Sequence, residues 1–384
     1  GTALDVDGLG LWRKSGAGHG GLLKGRGPIP EAGAGPSPAL TDRENGGTDG
    51  AEDAPMTGPD GLPTEFYVRD VRVFPNVVLA PMEGVTDLTF RRLVREIGGA
   101  GLTYTEFIAS RAIAGSRAGA KWREMARFDP DERPVALQIF GRDPHIMAEA
   151  ARVVQDLGAT IVDINMGCPS KKVCAKSGGS ALMADPELAI DIVKAVRKAI
   201  TVPLTVKMRS GFDHARRNAP ELAFACQEEG AEAITIHWRT RSDLYGGTRA
   251  VDKIAETVDK LTIPVVANGD IIDIPSAVKM FEDTGCAGVM VGRGAMRNPW
   301  SLRQIAEHLS GQPITAVDAD EKERVLLGFL AAIRKRAPRD KAALGRFKKV
   351  ANHFTRGLPH GAQLLRLAVL RAETPDAAIR QVRR

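Results

Sequence analysis

The chain has 384 residues, 43% of them hydrophobic and 26% charged, a balance that reads as globular and soluble. No apolar run approaches the roughly 18–20 residues that span a bilayer. The four cysteines (Cys168, Cys174, Cys226, Cys286) make neither a disulfide framework nor a CxxC metal pair, so no metal is expected and a reducing, cytoplasmic compartment is. The net charge of +6 is uneven: residues 334–384 hold 14 Lys and Arg against 3 Asp and Glu, leaving −5 on the other 333 residues.

Residues 1–60 contain 15 Gly and 6 Pro with no periodic apolar pattern, so residues 1–64 are expected to form a disordered extension. The extension lacks the continuous apolar core of a secretory signal, and a natural start at Met56 would leave what precedes it without function. Across residues 65–311, short runs rich in Val, Ile and Leu alternate with amphipathic stretches. The runs are Val77–Ala80, Leu102–Thr105, Val135–Ile139, Ile161–Ile164, Leu204–Met208, Ala233–Ile236, Val265–Ala267 and Gly288–Val291. Helices are predicted over Asp87–Ile97, Pro144–Leu157, Pro186–Ala199, Pro220–Glu229 and Ser276–Thr284, two of them opened by an Asp-Pro pair that supplies a cap and a first-turn proline. Eight strand–helix units predict an α/β (β/α)8 TIM barrel; the count favours it over an open doubly wound sheet. Residues 312–384 carry no strand signal. Glu321–Arg336, Lys341–Thr355 and Gln363–Arg371 predict a small helical domain, with Lys341, Arg346, Lys348, Lys349 and Arg356 crowded on one helix and its exit. A charge excess beyond what solubility requires points to a polyanion, nucleic acid ahead of a membrane surface because no aliphatic anchor accompanies it.

Catalytic groups of such barrels sit at the C-terminal ends of strands. Polar residues follow seven of the eight runs here: Pro81-Met82-Glu83-Gly84 after the first, Gln138 in the third, and Asp163-Ile164-Asn165 leading to Cys168 in the fourth. Lys207-Met208-Arg209, His237-Trp238-Arg239, Asn268-Gly269-Asp270 and Gly292-Arg293-Gly294 end the last four. Period-2 alternation puts Lys207 with Arg209, and Asp163 with Asn165, on the same side of their strands. The Gly-rich loops after the last two runs occupy the habitual phosphate seat of the fold. A lysine at position 207 is costly on an apolar strand unless it serves as nucleophile, anion stabiliser or ion-pair partner. Cys168, in a Gly-Cys-Pro turn after a strand, is either an inert buried thiol or a reactive, proton-donating one; its position favours the second. His237 is either a core histidine or a phosphate contact, and Arg239 beside it favours the contact.

In order and spacing, the runs Ala80-Pro81-Met82-Glu83-Gly84-Val85-Thr86-Asp87, Gln138-Ile139-Phe140-Gly141 and Asp163–Pro169 resemble the tRNA-dihydrouridine synthases, in particular their bacterial B-type subgroup. Val206–Gly211, Ala267–Ile271, Val291–Gly294 and the late Ala372-Glu373-Thr374-Pro375 carry the resemblance further, along about 310 residues. The resemblance implies an FMN enzyme, recharged by NADPH, that reduces the C5=C6 bond of uridines in the D-loop of tRNA. It implies Cys168 as the acid that protonates C5; Pro81, Met82, Glu83, Gln138 and Lys207 around the flavin ring; and His237, Asn268, Gly269, Asp270, Gly292 and Arg293 around its phosphate end. Asn165 and Arg209 are expected to contact the uracil, the basic helices and Arg111, Arg117, Lys121 and Arg123 the tRNA, and the protein is expected to be monomeric. Glu83 and Trp238 depart from the small residues commoner in the family at those positions, and residues 1–60 match nothing in it. Two other functions remain open at this level: a barrel flavoenzyme acting on a free pyrimidine, and a non-catalytic RNA-binding protein.

Overall fold

In a computed structural model, residues 56–115, 120–174, 178–357 and 362–383 are described. Most of the expected extension, residues 1–55, lies outside the described residues, as does Arg117. Residues 56–64, which composition assigns to the extension, are ordered: Thr64 N donates to Met56 O (2.9 Å), and Asn76 Nδ2 donates to Pro63 O (2.7 Å).

An antiparallel hairpin comes first, β1 (Phe66–Val68) and β2 (Val71–Val73). Then follow β3 (Val77–Leu79), β4 (Leu102–Tyr104), β5 (Ile108–Ala109), β6 (Val135–Phe140), β7 (Ile161–Met166), β8 (Leu204–Arg209), β9 (Ala233–His237), β10 (Val265–Asn268) and β11 (Gly288–Val291). The last nine form one parallel sheet in the order β4-β3-β11-β10-β9-β8-β7-β6-β5, and a β4–β6 pairing closes it. β4 and β5 both pair with β6 and act as one interrupted stave, so the closed barrel has eight staves at the eight places the apolar runs predict. These runs read as continuous rather than alternating because each strand is buried on both faces, by its barrel neighbours and by the outer helices.

The outer helices begin where their caps require. Asp143 Oδ1 accepts from the backbone N–H of His145 and Ile146 at the head of Pro144–Asp156, and Asp185 accepts from Leu188 N at the head of Pro186–Ala199. The hairpin, which alternation did not reveal, seals the N-terminal end of the barrel. Phe66, Val68 and Val73 share one buried cluster with Val78, Leu102, Tyr104, Ile161, Val266 and Met290. Gly288 is required there, because a Cβ at that position would meet the Phe66 ring at 2.7 Å and Asn76 O at 2.8 Å.

Beyond residue 312 the described chain is helical: Ala319–Arg336, Asp340–Phe354, Ala362–Arg371 and Pro375–Val382, the last capped by the Thr374 side chain on Ala377 N. These helices pack on the barrel's outer layer beside the loop after β3. Phe329 meets Phe90 edge to face with centroids 5.9 Å apart, Phe354 lies 6.0 Å from Trp300, and Trp300 Nε1 donates to Glu321 (2.7 Å). Arg346 pairs with Asp87 (3.1 Å), Arg336 with Glu124 (3.1 Å), and Lys349 Nζ donates to Glu83 O (2.8 Å). Among the described residues no helix is long and apolar enough to cross a membrane, and no three His, Cys, Asp or Glu side chains gather as metal ligands.

Candidate active site

The barrel interior changes character along its axis: apolar at the hairpin end, polar at the other. Strand register sets Gln138 beside Asp163, and Asp163 beside Thr205. Gln138 Nε2 donates to one carboxylate oxygen of Asp163 (2.6 Å), and Thr205 Oγ1 donates to the other (2.5 Å). Burial pushes the Asp163 carboxyl up to about 7 against these two hydrogen bonds.

One layer higher, Gln138 Oε1 accepts from Asn165 Nδ2 (2.8 Å). Asn165 Oδ1 accepts from the backbone N–H of both Gly167 (3.0 Å) and Cys168 (2.9 Å). The strand residue thus fixes the turn that carries the thiol. The turn is tied again from its far side, where Cys168 O accepts from Ser180 N (3.1 Å) and Ser180 Oγ (2.9 Å). Arg209, beside His237 in register, supplies a third tie. Its Nε donates to Gly167 O (2.8 Å), and its Nη1 to Thr240 O (2.7 Å) and Leu244 O (3.0 Å). Desolvation raises the Cys168 thiol above the ordinary range, so it holds its proton at neutral pH.

Lys207 lies beside Asn165 in register, and its Nζ donates to Asn268 Oδ1 (3.1 Å). Asn268 is fixed in turn by Nδ2 donating to Met290 O (2.7 Å). Burial, then the neighbouring Arg209, lower the ammonium to about 8, while Asp163 opposes them. Lys207 therefore stays charged at neutral pH, with one hydrogen-bond partner among the described residues for three N–H donors. His237 Nδ1 accepts from Arg239 N (3.2 Å). Burial, followed by the surrounding lysine and arginines, drives its pKa well below the ordinary value, leaving a neutral ring with Nε2 as the donor.

The turn after β10 is strained where the sequence places glycine and aspartate. Gly269 has φ +119° and Asp270 φ +55°. A Cβ on Gly269 would meet the Trp238 ring at 2.5 Å, so the turn and the indole are fitted to each other. Arg239 lies over the Trp238 ring at 4.0 Å and grips the Asp270 carboxylate with two hydrogen bonds (3.0 and 2.8 Å), while Arg293 reaches the same carboxylate at 3.3 Å. Trp238, an unusual residue by the sequence resemblance, is the pivot of this corner.

These groups open into a cavity of about 450 Å³ at the C-terminal ends of the strands, lined by Pro81, Met82, Glu83, Asn165, Cys168, Lys207, Arg209, His237, Asn268, Gly269, Asp270, Gly292 and Arg293. Of the expected site residues only Gln138 is outside it, fully buried one layer below with both ends of its amide spent on Asp163 and Asn165. Tyr245, Phe107 and Lys349 also line the cavity and were not expected there. Lys349 arrives from the C-terminal helices, a contact across 266 positions that no local pattern announces. Glu106, buried and raised by desolvation, accepts from Gly84 N and stands near Lys349 and Arg346. Two of the five cations crowded on the helix Asp340–Phe354 and its exit are therefore spent on the barrel rather than left on the surface.

A family model described as dihydrouridine synthase matches residues 78–379. The tRNA-dihydrouridine synthase B of Pseudomonas syringae pv. tomato is 43% identical over 262 residues, 68% of this chain and 77% of that one. Its namesake from Pseudomonas aeruginosa is 41% identical over 261 residues, 67% of this chain and 78% of that one. Among solved structures, histamine dehydrogenase from Rhizobium sp. 4-9 shares the fold at TM-score 0.50 and 11% identity, over 70% of this chain and 50% of that one. The family match runs from β3 into the helix Pro375–Val382 and so takes in both the barrel-mouth cavity and the helices that border it: the chain belongs to the dihydrouridine synthase family.

Proposed function

We propose that this chain reduces the C5=C6 bond of uridines in the D-loop of tRNA to 5,6-dihydrouridine, with FMN as cofactor and NADPH as reductant. The reading rests most on one juxtaposition: a protonated thiol, a charged buried lysine and a glycine turn beside an arginine line a single cavity. Residues 65–311 are then the FMN-binding domain and residues 312–384 the tRNA-binding one.

The residues present suit FMN. Lys207 has two N–H donors unspent on the described residues for the pyrimidine end of the ring, and a cation there stabilises negative charge on it. Pro81 and Met82 offer an apolar wall. Arg293, half-exposed and only partly used by Asp270, and neutral His237 through Nε2, face the phosphate end with Gly269 and Gly292. Asp270 contributes by orienting Arg293, Asn268 by orienting Lys207, and Gln138 through Asn165. The chemistry that FMN supplies when bound is hydride delivery to C6 of the uracil.

The protein's own part is the proton. Cys168 Sγ–H donates to C5, and the raised pKa suits the thiol to hold that proton until carbon accepts it. The second Nδ2 hydrogen of Asn165 and the Nη2 group of Arg209 carry no bond to the described residues, so both are left to meet the uracil carbonyls. The target base must leave its stack to reach this depth. The affinity that offsets this comes from Lys341, Lys348 and Arg356, which have no acidic partner among the described residues.

The test combines a visible spectrum of the purified protein with a dihydrouridine assay on unmodified tRNA and NADPH. Cys168→Ala is expected to keep flavin absorbance and its bleaching by NADPH while dihydrouridine formation collapses. Equal loss of both would overturn the assignment of Cys168.

A further inference from the structure

A second cavity, of about 690 Å³, adjoins the first and shares Glu83, Phe107 and Ser170 with it. Its floor is apolar and aromatic: Phe107 and Phe140, packed edge to face with centroids 5.5 Å apart, together with Trp122 and Met125. Its rim carries Arg111, Lys121 and Arg142. All three are exposed and none has an acidic partner among the described residues, unlike the many surface arginines that are paired. The two acids on the lining do not neutralise them: Asp143 is occupied capping the helix Pro144–Asp156, and Glu83 stands at the border with the first cavity.

An aromatic floor under a ring of free cations is the chemistry of a nucleotide site, a face for the base and charge for the phosphate. We infer that this cavity seats a nucleotide adjoining the target uridine in the same RNA strand. The inference rests on the reading of the first cavity as the place where that uridine reacts. Continuity with it favours this occupant, because the shared lining of Phe107 and Ser170 sets the second cavity beside the first, where a neighbour of the base held there can be seated. The reductant also contains nucleotides and is the rival source.

The experiment uses the FMN-loaded full chain and steady-state kinetics on unmodified tRNA. The double variant Arg111→Ala/Arg142→Ala, both positions exposed, should raise KM for tRNA about ten-fold, with kcat at saturation and KM for NADPH unchanged. Replacing one of the two nucleotides flanking the target by an abasic one should cost the wild type about ten-fold in kcat/KM, the order of one base–aromatic stack. Phe140→Leu, which keeps the floor filled, should lose most of that discrimination. A raised KM for NADPH with tRNA kinetics unchanged would give the cavity to the reductant and overturn the inference, as would variants indistinguishable from wild type. If the wild type makes no dihydrouridine at all, the reading of the first cavity fails instead.

Discussion

Asn165 offers the sharpest test of how the thiol is placed. Replacing it by alanine removes the acceptor for Gly167 N and Cys168 N and the donor to Gln138 Oε1. Each lost turn hydrogen bond is worth about 0.5–1.5 kcal/mol, so the bound arrangement of the turn loses about 1–3 kcal/mol against its alternatives, roughly a 5- to 150-fold drop in the fraction holding Sγ in place. The remaining ties, from Ser180 and Arg209, set the loss nearer the lower end. The assay is single-turnover dihydrouridine formation on saturating tRNA, beside FMN affinity and flavin bleaching by NADPH, which should hold within about two-fold. The decisive comparison is the double variant. If Asn165 acts by placing Cys168 as well as by meeting the uracil, Asn165→Ala costs less once Cys168 is alanine, because only the uracil contact is then left to lose. Fully additive losses would leave Asn165 only its contact with the uracil and refute the positioning argument.

Lys207→Met should lower the midpoint potential of the bound flavin and remove the part of its pH dependence near 8 that the lysine adds. The ammonium is charged below about 8 and neutral above it, so its stabilisation of the reduced, anionic ring is present below that pH and fades as pH rises; an unchanged potential in a spectroelectrochemical titration contradicts this. Gly269→Ala forces a left-handed φ of +119° on a residue with a Cβ and drives it into Trp238, and about 1–3 kcal/mol of strain should weaken FMN binding roughly 5- to 150-fold in a fluorescence titration with the fold intact by circular dichroism. Glu132→Gln strips the charge partner from Arg91, which is fully buried and donates to Glu132 (2.8 Å), Thr86 O and Arg127 O. Denaturant unfolding should show a loss of about 3–5 kcal/mol, and a loss below about 1 kcal/mol would mean that the guanidinium finds water.

The barrel was legible because its staves are buried on both sides, so strand identity is written as local apolar runs that need no partner to be recognised. The hairpin β1–β2 was not, since two three-residue strands are too short for alternation and owe their order to the barrel floor they cover. At the site, positions were read better than the contacts that organise them. The strand-end rule located Lys207, Cys168, His237 and the two glycine loops, and alternation set Asp163 with Asn165. It could not say that Gln138 would spend its amide below the cavity, or that Asp270 would turn to Arg239 and Arg293. Those outcomes depend on register across strands and on chain segments dozens of residues apart.

The helix Asp340–Phe354 has a consequence for any attempt to dissect the protein. Lys349 holds the loop at Glu83, Arg346 holds Asp87, and Phe354 and Phe329 cover Trp300 and Phe90. The segment that would grip the RNA is thus also part of the wall of the reaction chamber. Cutting the chain near residue 312 would strip Phe90 and Trp300 of their cover and free the Pro81–Gly84 loop, so an inactive truncation would report a damaged chamber as readily as a lost grip. The two roles come apart only one side chain at a time: Lys341, Lys348 and Arg356 for the grip, Lys349 and Arg346 for the wall.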